Sequence, residues 1–274
     1  MPVIAIIDFE TTSADAEVAR PWEFGVAITA PDSWDIAYME QFYIWGEDYP
    51  DMAEGAKRAC RVSWDRMPKE GYIYETPKNA IKHIQAILSG KRNILGQESH
   101  VPVDFVLAYN NRFDRTILDK ECERQGIGSI PYQWLCGLQE VPYPAHYRCK
   151  QLSHLALDHG IVVNPESLHG AIGDIKLFVQ MMQMGEYSLK DILAYIADPW
   201  IVIQAICDIK PWEPGGKELN DAVKADGYGW QTCKGVDEPV FAKSWVKRIK
   251  KSQFEIEKQK QVTFQRKIIW EQQK

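Results

Sequence analysis

The chain has 274 residues, which at roughly 150 residues per domain is enough for one large domain and a smaller appendage. Hydrophobic residues make up 45% and charged residues 26%, and the mean hydropathy is −0.34, values that exclude a fibrous or largely disordered chain. No apolar run approaches the ~18 residues that cross a bilayer, and MPVIAIIDFE at the start has no basic region. We therefore expect a cytoplasmic protein without a signal peptide or membrane span.

The cysteine and charge patterns bear on which kinds of metal site, disulfide and binding partner the protein has. The six cysteines lie far apart without a CxxC pair, so the sequence predicts free thiols rather than a zinc ribbon or a disulfide framework. The formal net charge of −6 hides a split: residues 234–274 hold 11 Lys and Arg against 5 Asp and Glu, and residues 1–233 hold 21 against 33. Because bound divalent cations reverse the local field of carboxylates, net charge does not exclude a nucleic-acid partner.

The N-terminal third predicts three strands. Val3–Ile7 is continuously apolar and β-branched, as in a strand buried on both faces. Glu23–Ile28 and Ile36–Trp45 are two further strand-like runs, and the turn residues Pro31, Asp32 and Ser33 lie between them. This order predicts an antiparallel meander.

Helix and strand signals then alternate. They predict a helix after the N-cap Thr76 up to Gly90, a strand at Phe105–Tyr109, a helix from about Asp114 to near Gly126, a short helix at Leu152–His159, and a helix from Gly170 to Met184. The sequence therefore predicts an α/β domain over residues 1–185.

Residues 186–274 predict a small, mainly helical extension. Leu189–Ala197 and Trp200–Cys207 are expected to be short helices, and the PWEPGG turn at 211–216 is expected to be a boundary or hinge. Val240 to about Lys260 has helical spacing of apolar residues among lysines, which predicts a basic amphipathic helix. This segment either packs on the body or binds phosphates, with stacking from Trp230, Phe241 or Trp245.

Four carboxylates and one histidine follow predicted strands or begin predicted helices. Asp8 and Glu10 lie on one face at a strand end, which favours a shared cation, although one Asp-x-Glu arises by chance in about every chain of this size. Asp114 begins a helix, where the helix dipole alone would stabilise it. Asp174 shares a helix face with apolar residues and requires compensation there. His169 is too far around that helix to share this face and belongs to the preceding loop.

Together these segments resemble the DEDDh exonucleases, the family of the proofreading subunit of bacterial replicative DNA polymerase, ribonuclease T and oligoribonuclease. The similar motifs are DFETT (Asp8–Thr12), Asn110-x-x-Phe113-Asp114, HGAIGD (His169–Asp174) and the Lys150–Ala156 segment KQLSHLA. Tyr109 and Ile175 depart from the family pattern, which often has His and usually Ala there. Residues 46–69 and those after 185 lie outside the resemblance.

The resemblance implies a ribonuclease H-like mixed sheet with helices on both faces and a metal-dependent 3′–5′ exonuclease. Asp8 would bridge two Mg²⁺ or Mn²⁺ ions, Glu10 and Asp174 would hold one of them, and Asp114 would support the other through water. His169 would be the general base. The residues expected to bind substrate are Phe9, Thr11, Thr12, Asn110 and Phe113, of which Phe9 and Thr11 would line the 3′-terminal nucleotide.

We expect single-stranded DNA or the 3′ ends of nucleic acid as the partner, together with a polymerase or another replication or repair protein. Two alternatives stay open. An exoribonuclease would use the same metal chemistry, because discrimination of the sugar depends on pocket shape. A non-catalytic module that binds a polymerase or nucleic acid would use the same fold.

Overall fold

The apolar run near the N-terminus is an inner strand of a mixed sheet in the computed structural model. The structure describes residues 2–60, 74–90, 93–94, 97–98, 102–129, 131–144, 146–147, 149–163, 169–207, 209–210, 212–231 and 244–272. Two compact units are present, Met1–Leu193 and Ala194–Lys274. The boundary predicted at 185 lies inside the first unit.

The strands of the first unit, within the described residues, are β1 (Ile4–Thr11), β2 (Pro21–Thr29), β3 (Ile36–Ile44), β4 (Tyr74–Glu75), β5 (Asn93–Ile94), β6 (Gln97–Glu98), β7 (Phe105–Ala108) and β8 (Gln133–Cys136). Six of them form one sheet in the order β4-β3-β2-β1-β7-β8, and β5 and β6 pair separately. The β1-β2-β3 pairs are antiparallel, so the predicted meander is confirmed. The pairs β1-β7 and β7-β8 are parallel.

The helices that accompany these strands are α1 (Glu54–Cys60), α2 (Pro77–Leu88), α3 (Asn111–Arg124), α4 (Gly137–Glu140), α5 (Leu152–Asp158), α6 (Ala171–Met184) and α7 (Leu189–Ala197). Thr76 caps α2 as predicted, because its hydroxyl oxygen accepts a hydrogen bond from the Asn79 N–H at 3.4 Å. The predicted helices at α3, α5, α6 and α7 are also confirmed, with ends within about three residues.

Residues of β1 alternate between two cores. Ala5, Ile7 and Phe9 pack in the core that contains residues of α2 and α3, whereas Ile4 and Ile6 pack in the core that contains residues of α5 and α6. This alternation follows from the two-residue period of a strand. The predicted α/β sheet with helices on both faces is therefore confirmed.

The second unit contains β9 (Trp200–Ile206), α8 (Gly216–Ala225), β10 (Gly229–Gln231), β11 (Ser244–Lys250), α9 (Phe254–Gln259) and β12 (Gln265–Glu271). The strands form an antiparallel sheet in the order β10-β11-β9-β12. The predicted mainly helical extension is therefore wrong. The turn-rich stretch at 211–216 belongs to this unit rather than to its boundary.

Two helix predictions fail in this unit. The helix predicted at Trp200–Cys207 is wrong because β9 pairs with β11 on one side and β12 on the other, and this pairing buries most of its apolar residues in a sheet. The basic helix at 240–260 is wrong because residues 244–250 pair with β9, and only α9 and the preceding 3-10 turn are helical. Residues 240–243 lie outside the described residues.

Basic residues of β11 point into the second unit. The Lys250 ammonium donates to the carbonyl oxygens of Tyr195 at 2.6 Å and Asp198 at 2.8 Å. The Lys247 ammonium donates to the Glu257 carboxylate at 3.0 Å. Within the second unit, these lysines therefore hold Tyr195, Asp198 and α9 to the strand, which explains charges that the sequence pattern assigned to a basic amphipathic helix.

None of the helices in the described ranges is both long and apolar enough to cross a bilayer. Cys122, Cys136, Cys149 and Cys207 carry free thiols. The side chain of Cys60 and the whole of Cys233 lie outside the described residues.

Candidate active site

Strand β1 ends in two carboxylates on one face. Asp8 and Glu10 lie two residues apart, so the period of the strand points both side chains to the same side. The parallel pairing with β7 ends at Ile6 and Leu107, whereas the antiparallel pairing with β2 continues past Asp8. The carboxylates therefore lie at the edge of the sheet where α3 begins after β7.

Helix α6 brings a third carboxylate to this edge. Asp174 lies in the first turn of α6, and one oxygen each of Asp8, Glu10 and Asp174 lies within 4.8 Å of the others. All three side chains are partly buried. We call these three residues the acidic cluster.

The acidic cluster fits a divalent cation. The Oδ1 atom of Asp174 is buried and has no hydrogen-bond partner among the described residues. A buried polar atom without a partner costs free energy, which a bound cation would recover. Carboxylate oxygens are the hard ligands that Mg²⁺ and Mn²⁺ prefer. The donor set is therefore appropriate for either ion.

The raised pKa values of these carboxyl groups also favour a bound divalent cation. Burial raises the pKa of Asp8 well above its usual range, and the neighbouring carboxylates Asp114, Glu10, Asp174 and Glu23 raise it further. Burial also raises the pKa of Asp174. These shifts report negative charges forced together in a partly desolvated site, which a divalent cation would neutralise.

Asp114 lies next to the acidic cluster without belonging to it. Its side chain is buried in the first turn of α3, and its Oδ1 accepts a hydrogen bond from the Phe9 N–H at 3.1 Å. Burial raises the pKa of Asp114 to about 7, while that hydrogen bond opposes the shift. Asp114 therefore contacts the backbone between Asp8 and Glu10 and adds a fourth carboxylate to their surroundings.

Glu23 is a fifth carboxylate that the sequence analysis missed. It pairs with Glu10 across β1 and β2, and its side chain is buried. Its Oε1 accepts hydrogen bonds from the Ala171 N–H at 2.9 Å and from the Gln41 amide at 2.6 Å. A glutamate between Trp22 and Phe24 in a buried strand was the available signal, because charged residues are rarely buried without a partner.

His169 precedes α6 in a bend, as its predicted loop position requires. Its backbone has φ of +64°, an uncommon value for a residue other than glycine, and its side chain is exposed. Burial raises the pKa of Asp174, and His169 opposes that rise through its charge and its backbone. His169 is therefore next to the acidic cluster.

A cavity of about 490 Å³ opens beside these residues. Asp8, Asp174, His169 and Asn110 line it. Four more polar lining residues come from the end of β7 and the start of α5, namely Tyr109, Lys150, Gln151 and Ser153. The Tyr109 hydroxyl donates to the Lys150 carbonyl oxygen, which joins the two walls. The volume is in the range of small-ligand pockets.

The other residues expected to contact substrate have side chains engaged inside the protein. The Phe9 ring packs on Phe24 with centroids 4.9 Å apart, and Phe113 packs on the same core. The Thr11 hydroxyl donates to the Ser13 carbonyl oxygen at 2.7 Å, and that of Thr12 accepts from the Arg20 N–H at 3.0 Å. Their contacts with a nucleotide stay predictions.

No protein-family model and no curated protein matches the chain, but solved structures do. Exonuclease I of E. coli in complex with a dT13 oligonucleotide has a TM-score of 0.58 at 14% identity, covering 91% of this chain and 64% of its own. The zinc-bound E. coli ExoI–ssDNA complex has a TM-score of 0.58 at 15% identity, covering 91% and 63%. Apo exonuclease I has a TM-score of 0.56 at 16% identity, and the match covers 74% of this chain and 49% of the exonuclease I chain.

The chain shares its fold with these exonuclease I structures. The resemblance drawn from the sequence motifs is thus confirmed at the level of the fold. The chain spans slightly less than two thirds of the length of the exonuclease I structures.

Proposed function

We propose that the chain is a metal-dependent 3′–5′ exonuclease that hydrolyses phosphodiester bonds at the 3′ ends of single-stranded DNA. The observation that carries the proposal is the convergence of the acidic cluster beside His169 and the cavity. The fold is shared with exonuclease I structures that hold a single-stranded oligonucleotide, which favours DNA as the substrate.

The carboxylates divide into two sets in this proposal. Asp8 would contact both of two cations, Glu10 and Asp174 would hold the cation next to the attacking water, and Asp114 would support the second through water. Divalent cations held by these carboxylates would neutralise the phosphodiester and would lower the pKa of the attacking water. Glu23 would not be a metal ligand in this proposal. It accepts a hydrogen bond from the Ala171 N–H and so positions α6.

His169 supplies the base. Its imidazole takes a proton from the water as the water oxygen bonds to the 5′ phosphorus of the terminal nucleotide. The bond from that phosphorus to the 3′ oxygen of the penultimate nucleotide breaks. That oxygen is protonated from solvent, which leaves a new 3′ hydroxyl and a free nucleoside 5′-monophosphate. The exposed position of His169 lets the ring turn toward bound substrate.

Product ladders test the function directly. Purified protein with Mg²⁺ or Mn²⁺ would be incubated with 5′- and 3′-labelled single-stranded DNA, duplex DNA and RNA. We expect a descending ladder from 5′-labelled single-stranded DNA and immediate release of mononucleotide from the 3′ label. Faster degradation of RNA would identify an exoribonuclease, and binding without cleavage would identify a non-catalytic module.

Two substitutions test the assigned residues. Asp174→Asn removes a charge from the acidic cluster and should abolish turnover in the assay. His169→Ala should lower kcat by about 100-fold or more, the usual scale for loss of a general base. Asp158→Asn and His154→Ala are matched controls, because both side chains are exposed and neither lines the cavity. Normal turnover of the Asp174 or His169 variant would refute its role.

A further inference from the structure

A second cavity lies in the second unit, between α8 and the sheet. Its volume is about 470 Å³. Trp230 of β10 and Trp245 of β11 are cross-strand partners and form one side. The other side is one face of α8, where residues spaced by three and four align, namely Lys217, Asn220, Asp221 and Lys224. We call this cavity the tryptophan groove.

The Trp245 ring of the groove is held by hydrogen bonds, and the Trp230 ring is exposed. The Trp245 indole N–H donates to the Asn220 Oδ1 at 2.7 Å, and the Asn220 amide donates to the Gly216 carbonyl oxygen at 2.8 Å. The Trp230 ring meets Trp245 with centroids 5.4 Å apart and is 52% exposed. The groove therefore presents a pre-positioned aromatic surface to solvent.

Lysines flank this aromatic surface. Lys217 and Lys224 are two helical turns apart on α8, about 10 Å along its axis. The Lys224 ammonium lies 5.8 Å from the centre of the Trp245 ring and 3.7 Å from the Asp221 carboxylate. The second unit holds 14 Lys and Arg against 11 Asp and Glu, whereas the first holds 18 against 27. The groove is therefore on the unit with the positive net charge.

We infer that the tryptophan groove binds unpaired nucleotides of a single-stranded nucleic acid. A base stacks on Trp230, and phosphates on either side of it approach Lys217 and Lys224. Exposed aromatic rings next to basic side chains are the combination that binds single strands without sequence preference. The choice of ligand rests on the proposed function, but binding at the groove requires no hydrolysis.

Stacking is tested by removing the exposed ring. Binding of a labelled oligothymidylate would be measured by fluorescence anisotropy in an Asp174→Asn background, which prevents cleavage. Trp230→Ala should weaken binding by about 5- to 100-fold, and Trp230→Phe should retain most of it because a ring remains. Trp212→Ala is the matched control, since Trp212 is 78% exposed in the same unit and does not line the groove. Blunt duplex DNA should bind all variants equally, since its bases are already stacked.

Charge is tested in both directions. Replacing Lys217 and Lys224 by alanine should flatten the plot of log affinity against log salt by about 0.7 for each phosphate that the lysines no longer neutralise. Asp221→Asn should tighten binding, because it removes a carboxylate that repels phosphate. Equal binding of the Trp230→Ala and Trp212→Ala proteins, or an unchanged salt slope in the lysine variant, would overturn the inference.

The two proposals fail in distinguishable ways. If Trp230→Ala weakens binding of oligothymidylate but the wild-type protein releases no nucleotide, only the proposed hydrolysis is contradicted. A protein that degrades single-stranded DNA but binds it equally well without the Trp230 ring contradicts only the groove.

Discussion

Glu23 connects two parts of the site at the scale of single residues. Across the β1–β2 pair it faces Glu10, and its Oε1 holds the backbone N–H of Ala171, the first residue of α6. Asp174 is in the first turn of the same helix. Glu23 is thus a positioning residue, because the helix that carries one member of the acidic cluster is bound to the strand next to the other two.

Substitution of Glu23 separates its hydrogen bond from its charge. Glu23→Gln keeps a carbonyl oxygen for Ala171 and removes a buried charge, whereas Glu23→Ala leaves the Ala171 N–H without its acceptor. We expect the Ala variant to be less stable than the Gln variant by about 1–3 kcal/mol in denaturant unfolding. Its kcat should also be lower, because Asp174 is held less firmly. Equal stability and kcat in the two variants would contradict this role.

Asp114 should give the metal-free protein a characteristic pH dependence. Its folded pKa of about 7 lies above the ordinary aspartate value near 4, so the folded state binds a proton between these limits. The stability that Asp114 contributes is therefore present at low pH and is lost as pH rises through about 7.

We predict that Asp114→Asn, compared with wild type in EDTA, raises Tm more at pH 8 than at pH 6. Asparagine keeps an acceptor for the Phe9 N–H but cannot ionise. Thermal melts of both proteins at several pH values measure the difference. A difference that stays constant or grows toward pH 6 would show that the Asp114 carboxyl does not titrate in this way.

At the scale of elements, the site depends on the close approach of α6 to β2. A Cβ atom at Gly25 would lie 2.9 Å from the Ala171 Cβ and 3.0 Å from the Ala171 carbonyl carbon, so only glycine fits without displacement. Gly25 and Glu23 are two residues apart and lie on one face of β2. Gly25 therefore leaves space for the first turn of α6, and Glu23 accepts a hydrogen bond from that turn.

Gly25→Ala should push α6 away from the sheet. We expect a loss of about 1–3 kcal/mol in the free energy of unfolding, as for other overpacked contacts, together with a lower kcat. Gly128→Ala is a control, because no atom lies within 4 Å of the added Cβ. Unfolding curves and turnover of both variants test this, and a Gly25→Ala protein as active and stable as the control would refute it.

The sequence predicted the elements of the first unit better than those of the second. β1, α3 and α6 have buried runs or cap signals that are local in the chain, and they were predicted correctly. β9 and β11 are strands because they pair with each other and, for β9, with β12. A short apolar run such as WIVIQAI has no period that separates a helix from a strand, so this pairing could not be predicted locally.

At the scale of the whole molecule, the candidate site joins residues from distant parts of the chain. Motif spacing was sufficient to nominate Asp8, Glu10, Asp114, His169 and Asp174. It could not nominate Glu23, whose partner Ala171 is 148 residues away and contributes only a backbone N–H. The tryptophan groove likewise depends on a helix face and a strand pair that meet only in the folded second unit.

The strand order of the second unit has a consequence for synthesis. β9 occupies the middle of its sheet, but both strands that cover its edges, β11 and β12, are made later. A nascent chain therefore carries an apolar strand with two open edges until β11 is translated and with one open edge until β12 is translated, and such edges recruit other chains. Ribosome-bound intermediates stalled after β9 are where chaperone capture or aggregation of this protein should be greatest.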